Sequence, residues 1–292
     1  MERVDAHLHL FADGYPGRYG RSPAGGDELA VYRTLRREHG ITQALVVGYE
    51  GGPEFAGNNR HLARLADAHD WIVPLAYVPV TGVDRAGLDR FRSERFAGIA
   101  AYLPDRASAD AFAGWVTGVA GPLNDAAAVL SLNAPPEAAG RLGRALAALD
   151  GCVVLFSHLG LPGRQPRVPS PEAAAGRLAP LTDLARLPHV GVKVSGLYAI
   201  SEPADDYPHA AARPFVDLLL HRFGAQRLYW GSDFAPSLDQ VSFAQTLHPV
   251  GLDGLSATEV ADVFGGNLHR ALRRRAAGSG TGRGTTPSGP VD

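Results

Sequence analysis

Apolar residues along the chain gather into eight short, nearly continuous runs, at 4–10, 41–48, 71–78, 97–103, 128–133, 152–157, 190–195 and 227–231. Most are rich in valine, isoleucine, leucine and aromatics, and few alternate as a strand with one wet face would. That is the pattern of parallel strands buried on both sides. Helical patterns stand between them, at 27–39, 58–69, 85–94, 109–119, 136–149, 171–187 and 210–223. Gly40 suits the position just past the end of the first helix. Ser256-Ala257-Thr258-Glu259 has capping-box spacing and opens a final helical region, which Gly265-Gly266-Asn267 interrupts before a last turn through Arg273. Eight strand–helix alternations predict an α/β fold with one closed (β/α)8 (TIM) barrel over residues 1–276. The first strand runs into histidines with no glycine-rich turn, which argues against a dinucleotide-binding fold. Residues 277–292 are Gly, Ser, Thr and Pro in character and predict a flexible tail.

In such a barrel the chemistry collects where the strands end. The first strand ends in Asp5-Ala6-His7-Leu8-His9. Side chains two apart on a strand share a face, so His7 and His9 point one way, about 7 Å apart along the strand. By the same rule Asp5 joins them, and Val4, Ala6 and Leu8 point oppositely. The sixth strand ends in Ser157-His158-Leu159-Gly160, the seventh carries Lys193-Val194-Ser195-Gly196, and the eighth ends in Gly231-Ser232-Asp233-Phe234. Three histidines and an aspartate therefore fall at one end of the predicted barrel. Imidazoles and a carboxylate in that arrangement suit one divalent metal or the polarisation of a carbonyl group.

Composition narrows the picture. The chain has 292 residues and a formal net charge of -2, which offers no electrostatic case for nucleic acid or an anionic membrane. No apolar run is long enough to span a bilayer and no signal peptide is recognisable, so a cytoplasmic location is the default expectation. Cys152 is the single cysteine; it lies in an apolar run and reads as a small core residue. Lys193 is the only lysine in an arginine-rich chain, so an ammonium is needed there for size or geometry. Its apolar strand predicts a buried ion pair with Asp5, a structural polar core one layer below the histidines.

Taken together, Asp5-Ala6-His7-Leu8-His9, Ser157-His158-Leu159-Gly160, Lys193-Val194-Ser195-Gly196, the stretch from Arg222 to Asp233 and Gly265-Gly266-Asn267 resemble the amidohydrolase superfamily in its amidohydrolase-2 branch. The likeness spans roughly residues 3 to 275 and is strongest toward the dicarboxylate and sugar lactonases. It implies a barrel hydrolase with His7 and His9 as metal ligands or carbonyl-polarising groups, His158 as the later-strand histidine, and Asp233 as general base and further ligand. Members with two metals use a lysine carbamate or glutamate from the fourth strand. Here that strand reads Gly98-Ile99-Ala100-Ala101-Tyr102-Leu103 and offers neither, which leaves one divalent ion, zinc or manganese, or a metal-free site as in some lactonases of this branch.

Hydrolysis of a lactone or a related cyclic ester or amide is the reading that follows, with Asp233 activating water and His158 assisting at the carbonyl. Arginine forks suit carboxylates. Arg18 and Arg21 in the loop after the first strand and Arg164 in the loop after His158 are thus candidate contacts for a carboxylated small molecule. Tyr49, Tyr102 and Asn133 end other strands and are candidate pocket residues. Phe11 and Phe234 would form apolar walls, and His209 lies in a loop that could approach the pocket. Self-association into a homo-oligomer stays open. Two rivals remain: a metal-dependent decarboxylase of an aromatic or unsaturated acid, and a binding protein on a degenerate barrel.

Overall fold

All eight apolar runs become strands. The computed structural model describes residues 1–280, with side chains as far as 275. The strands are β1 (Arg3–Leu8), β2 (Ile41–Val47), β3 (Ile72–Tyr77), β4 (Gly98–Tyr102), β5 (Val129–Asn133), β6 (Val153–Phe156), β7 (Val190–Val194) and β8 (Leu228–Trp230). Each pairs in parallel with its successor, in the order of the sequence. Between β1 and β4 the crossovers are α1 (Glu28–Glu38), α2 (Asn58–Ala68) and α3 (Arg85–Ser93). Then come α4 (Arg106–Gly118) with α5 (Ala120–Asp125), α6 (Pro136–Ala139) with α7 (Gly143–Ala147), α8 (Pro171–Thr182) and α9 (Arg213–Phe223). After β8 follow α10 (Phe243–Thr246), α11 (Ala257–Ala261) and α12 (Asn267–Gly280).

Helix starts follow local chemistry. Asp27 caps α1 by accepting from Ala30 N, and Ser256 and Glu259 form the reciprocal capping box expected from their spacing. In α4, Ala109, Phe112 and Val116 recur at helical spacing and are all fully buried against the sheet. The helix expected over 136–149 is broken into α6 and α7. Gly140 and Gly143 weaken it, and α8 crosses so close that a Cβ at Gly140 would lie 2.9 Å from the Pro180 ring. Helix α12 runs to Gly280, four residues into the segment expected to be a flexible tail, and residues 281–292 lie outside the described part.

The ring closes between β1 and the segment just past β8. Leu8 bridges Phe234 in parallel, Asp233 N donates to His7 O at 2.8 Å, and His9 N donates to Phe234 O at 2.6 Å. Inside the ring a small apolar cluster, including Val4, Ala6, Leu45, Leu155 and Tyr229, fills the lower layers. A much larger cluster packs the outer faces of the strands against the helices.

The pleat of β1 departs from the expected alternation. Its register against β2 shifts between Asp5 and Leu8. Val4 and Ala6 belong to the inner cluster, yet His7 also faces inward, toward Lys193 on β7. Asp5 instead meets Tyr32 of α1, outside the ring. An irregularity of this kind re-aims one side chain and leaves the strand paired. Asp5 and His7 therefore do not share a face, which corrects the alternation rule applied to the bare sequence.

Candidate active site at the barrel closure

The residues singled out at the strand ends do meet. The His7 and His158 rings are 4.6 Å apart between centroids, and His7 and His9 are 5.1 Å apart. His7 Nε2 lies 3.5 Å from Asp233 Oδ1, and His158 Nδ1 lies 3.9 Å from Asp233 Oδ2. All four side chains are buried. His158 and Asp233 both adopt left-handed backbone, with φ of 53° and 57°. Such conformations cost about 1–3 kcal/mol each and persist where surrounding structure holds them.

Glycines make the close approaches. A Cβ at Gly196 would stand 2.3 Å from His158 Nδ1, and its φ is +60°. A Cβ at Gly231 would stand 2.6 Å from the His7 Cβ. The glycine two residues before Asp233 is thus what allows β8 to lie against the first histidine.

Lys193 is fully buried, and its Nζ lies 2.7 Å from Ser131 Oγ and 3.0 Å from His7 Nδ1. The expected ion pair with Asp5 is not formed. Asp5 Oδ1 accepts from His7 N and Ser232 N, and Oδ2 accepts from the Tyr32 hydroxyl. The register shift in β1 is the reason, because it turns Asp5 outward and His7 inward. Lys193 is thus part of the histidine cluster itself.

Tyr198, which nothing in the sequence set apart, donates its hydroxyl to Asp233 Oδ2 at 2.7 Å. Ser195 Oγ lies 3.1 Å from His158 Nδ1, and Ser157 Oγ lies 3.4 Å from His7 Nδ1. His9 Nδ1 is 2.8 Å from Val47 O. A carbonyl only accepts, so that nitrogen carries the His9 proton and Nε2 keeps its lone pair.

Burial governs the charges. It raises Asp233 to about 6, against the opposing pull of His9, the Tyr198 hydrogen bond and Lys193. It lowers His158 to about 3 and His9 to about 4, and holds His7 well below the usual histidine range, with the Lys193 charge adding to it. Lys193 is brought down to about 7 by burial, although Asp5 and Asp233 favour its charged form. A buried base poised near neutrality beside neutral imidazoles is a common arrangement of catalytic sites.

Aromatic rings continue from His9 along one side of the mouth. Phe11 stacks on His9 at 5.6 Å, Phe55 lies 4.5 Å from Phe11, Tyr49 lies 5.1 Å from Phe55, and Tyr102 lies 4.6 Å from Tyr49. Tyr77 completes the group and was not anticipated. Burial, and then the Asp233 charge, push the Tyr102 hydroxyl well above its ordinary range. Asn133 is half-buried and pairs in register with Tyr102. Phe234, by contrast, is fully buried against Tyr32, 5.2 Å away, and belongs to the outer core. Its backbone joins the ring closure, so its side chain is turned away from the mouth. His209 is buried in a small cavity of ≈ 30 Å³ that Ser195, Tyr198 and Ser237 also line. Arg18, Arg21 and Arg164 are exposed, and Arg18 N donates to Asp239 Oδ2, tying the loop after β1 to the turn after β8.

His7, His158 and Asp233 form a group that could hold a metal ion. Their donor atoms all lie within 4.8 Å of one another, and among the described residues no other cluster of three such side chains does so. His7 Nε2 is buried with no hydrogen-bond partner, so it is free to meet either a metal ion or a substrate atom, according to which ring nitrogen carries the proton. Two imidazoles and one carboxylate also match the three-ligand set of catalytic sites that keep a position open. His9 stands beside this group rather than within it, because β1 ends at Leu8 and Val47 O draws the ring aside.

An eight-stranded barrel with histidines and an aspartate at its closure defines a class of barrel enzymes. The sequence comparison then gives the family: a model described as amidohydrolase matches residues 4–274, and the chain belongs to that family. Among solved structures it is similar to an amidohydrolase from Burkholderia multivorans with bound zinc, at 22% identity over 94% of this chain and 99% of the other, with a TM-score of 0.72. A probable 2-pyrone-4,6-dicarboxylic acid hydrolase from Acinetobacter baumannii, with citric acid bound, is 17% identical over 94% of this chain and 100% of the other, with a TM-score of 0.70. Amidohydrolase 2 from Bifidobacterium longum subsp. infantis is 21% identical over 94% and 99%, with a TM-score of 0.63. At these identities the likeness speaks to the fold alone. A comparison with curated proteins finds no match. No helix among the described residues is long and apolar enough to cross a membrane.

Proposed function

We propose that the chain is a hydrolase that opens a lactone, or a related cyclic ester or amide, of a small carboxylated metabolite. One observation carries this reading. Asp233 is a buried carboxylate raised to about 6, held by the Tyr198 hydroxyl and flanked by His7 and His158 at the barrel mouth.

In the proposed reaction Asp233 takes a proton from water, and the water oxygen bonds to the substrate's carbonyl carbon. The ring carbon–oxygen bond then breaks, and Asp233 returns the proton to the leaving oxygen. His158 and His7 polarise the carbonyl and stabilise the oxyanion by hydrogen bonding. Tyr198 keeps the Asp233 carboxylate oriented. The aromatic side of the mouth, with Tyr49, Tyr102 and Asn133, takes the flat face of the ring. Arg18, Arg21 and Arg164 are proposed to meet substrate carboxylates from the rim loops. A single zinc or manganese ion held by His7, His158 and Asp233, with His9 alongside, would supply Lewis-acid polarisation and a more acidic water.

The similarity of fold to a probable 2-pyrone-4,6-dicarboxylic acid hydrolase suggests where to begin. Ring opening should be followed with 2-pyrone-4,6-dicarboxylate and with sugar lactones, for the native protein and for Asp233→Asn. The native protein should hydrolyse a member of this set, and the variant should be slower by about 10²–10⁴-fold, the usual contribution of a general base. Near-normal turnover by Asp233→Asn would remove it as the base. Release of CO₂ from carboxylated aromatics, with no lactone opened, would replace hydrolysis by decarboxylation.

A further inference from the structure

Of the 28 lysine and arginine side chains, all but one are arginine, and the exception sits against His7. An ammonium group has three hydrogens and no lone pair, so it can only donate. Lys193 Nζ is within bonding distance of two groups, Ser131 Oγ at 2.7 Å and His7 Nδ1 at 3.0 Å. Against the charged form of Lys193, which the nearby Asp5 and Asp233 carboxylates favour, Nδ1 has to accept. A neutral imidazole that accepts at Nδ1 carries its proton on Nε2. His7 Nε2 is the atom that looks toward Asp233 Oδ1, at 3.5 Å, and it has no hydrogen-bond partner.

We propose that Lys193 is a positioning residue that fixes His7 in the Nε2–H tautomer, so that His7 presents a proton donor to the oxygen atoms reacting beside Asp233. The donors then run in one direction, from Lys193 to His7 and from His7 toward the carboxylate. Ser131 holds the ammonium from the β5 side, and Ser157, at 3.4 Å from the same His7 nitrogen, is the weaker neighbour. Arginine would not serve, because its planar fork spreads charge over several donors where a compact point donor between two atoms is required. His7 cannot at once donate from Nε2 and offer a lone pair there. Lys193 therefore favours the donor role of His7 over a ligand role, and its removal should ease metal binding.

This inference rests on the hydrolytic reading for the use of the donor, but its central claim is open to direct measurement. Nitrogen-15 NMR of histidine-labelled, chelator-treated full-length protein reports the tautomer of each ring, with His7 assigned by the loss of its signals in His7→Gln. The expected result is an Nε2–H tautomer in the native protein and a shift toward Nδ1–H in Lys193→Met. Ring opening by Lys193→Met should show kcat lower by about 10–100-fold, the usual effect of losing the partner that orients a histidine, with KM within about threefold. Zinc titration should show tighter binding by Lys193→Met than by the native protein. Should Lys193→Met not fold, Ser131→Ala keeps the lysine but loosens it, and a partial shift of the His7 tautomer is expected. Native His7 protonated on Nδ1 would overturn the proposal. So would an unchanged tautomer and kcat in folded Lys193→Met, which would leave the lysine a purely structural role. Absence of any lactone hydrolysis would sink the functional reading alone, since the NMR result stands without a substrate.

Discussion

Replacing Tyr198 by phenylalanine removes one hydroxyl and keeps the ring. That hydroxyl donates to Asp233 Oδ2 at 2.7 Å, and it is one of the groups that hold the carboxyl below what burial alone would impose. A hydrogen bond to a charged acceptor contributes about 1.5–3 kcal/mol, and one pKa unit corresponds to about 1.4 kcal/mol. Losing it should therefore raise Asp233 from about 6 by roughly one to two further units. The base works only when ionised, above its pKa. The acid limb of kcat/KM should then lie near pH 6 in the native protein and about one to two units higher in Tyr198→Phe. Near pH 6.5 the variant should be slower by roughly tenfold, and by pH 9 the two rates should converge. The assay is a pH profile of ring opening on the best lactone found. Identical acid limbs would refute the coupling between Tyr198 and Asp233. A loss equal at every pH would show that the tyrosine acts on substrate and not on the base.

Two further outcomes follow from the geometry. Zinc added to chelator-treated protein should titrate to about one equivalent per chain, as expected for a three-ligand site; His7→Gln or His158→Gln should abolish that binding, while His9→Gln should retain it, and a stoichiometry of two or an essential His9 would contradict the grouping. Gly196→Ala places a methyl group against the His158 ring at a left-handed position, which costs about 1–2 kcal/mol in backbone alone; urea unfolding should show at least that loss, activity should fall because His158 is displaced, and a variant of native stability and turnover would mean that the close approach is not real.

Much of this architecture could be read from the chain because of how parallel strands are buried. A strand covered on both faces becomes a continuous apolar run, and eight such runs separated by helical patterns admit few folds. The helix boundaries were less legible where tertiary contact decided them. The break at Gly140 depends on Pro180 lying against it, and no window around Gly140 contains that residue. The π-like turn at Asp262–Gly266, between α11 and α12, was visible only as a pair of glycines, although Gly265 packs so near β1 that a Cβ there would meet Val4 N at 2.8 Å.

The site divides along the same line. His7, His158 and Asp233 were legible because strand ends at one rim must converge once the ring closes. Their neighbours were not, and each failure has a local cause. The alternation rule put Asp5 with His7, but it holds only for an unbroken pleat, and the ring closure breaks it. His7 O receives Asp233 N and His9 N reaches Phe234 O, more than 220 residues along the chain, and the register of β1 shifts to meet them. That shift turns Asp5 out to Tyr32 and gives His7 to Lys193. Lys193 could be recognised as exceptional from its rarity, but its partner depended on a strand irregularity that no local pattern encodes. Tyr198 sits in a short turn after Gly196, one tyrosine among nine, and only the left-handed glycine that lets His158 approach also carries the chain round to bring its hydroxyl to Asp233. The closure between the first and last strands is therefore the step on which the chemistry depends. It joins His7 to Asp233, and it decides which of the two side chains, the carboxylate at 5 or the imidazole at 7, turns inward to meet the single lysine.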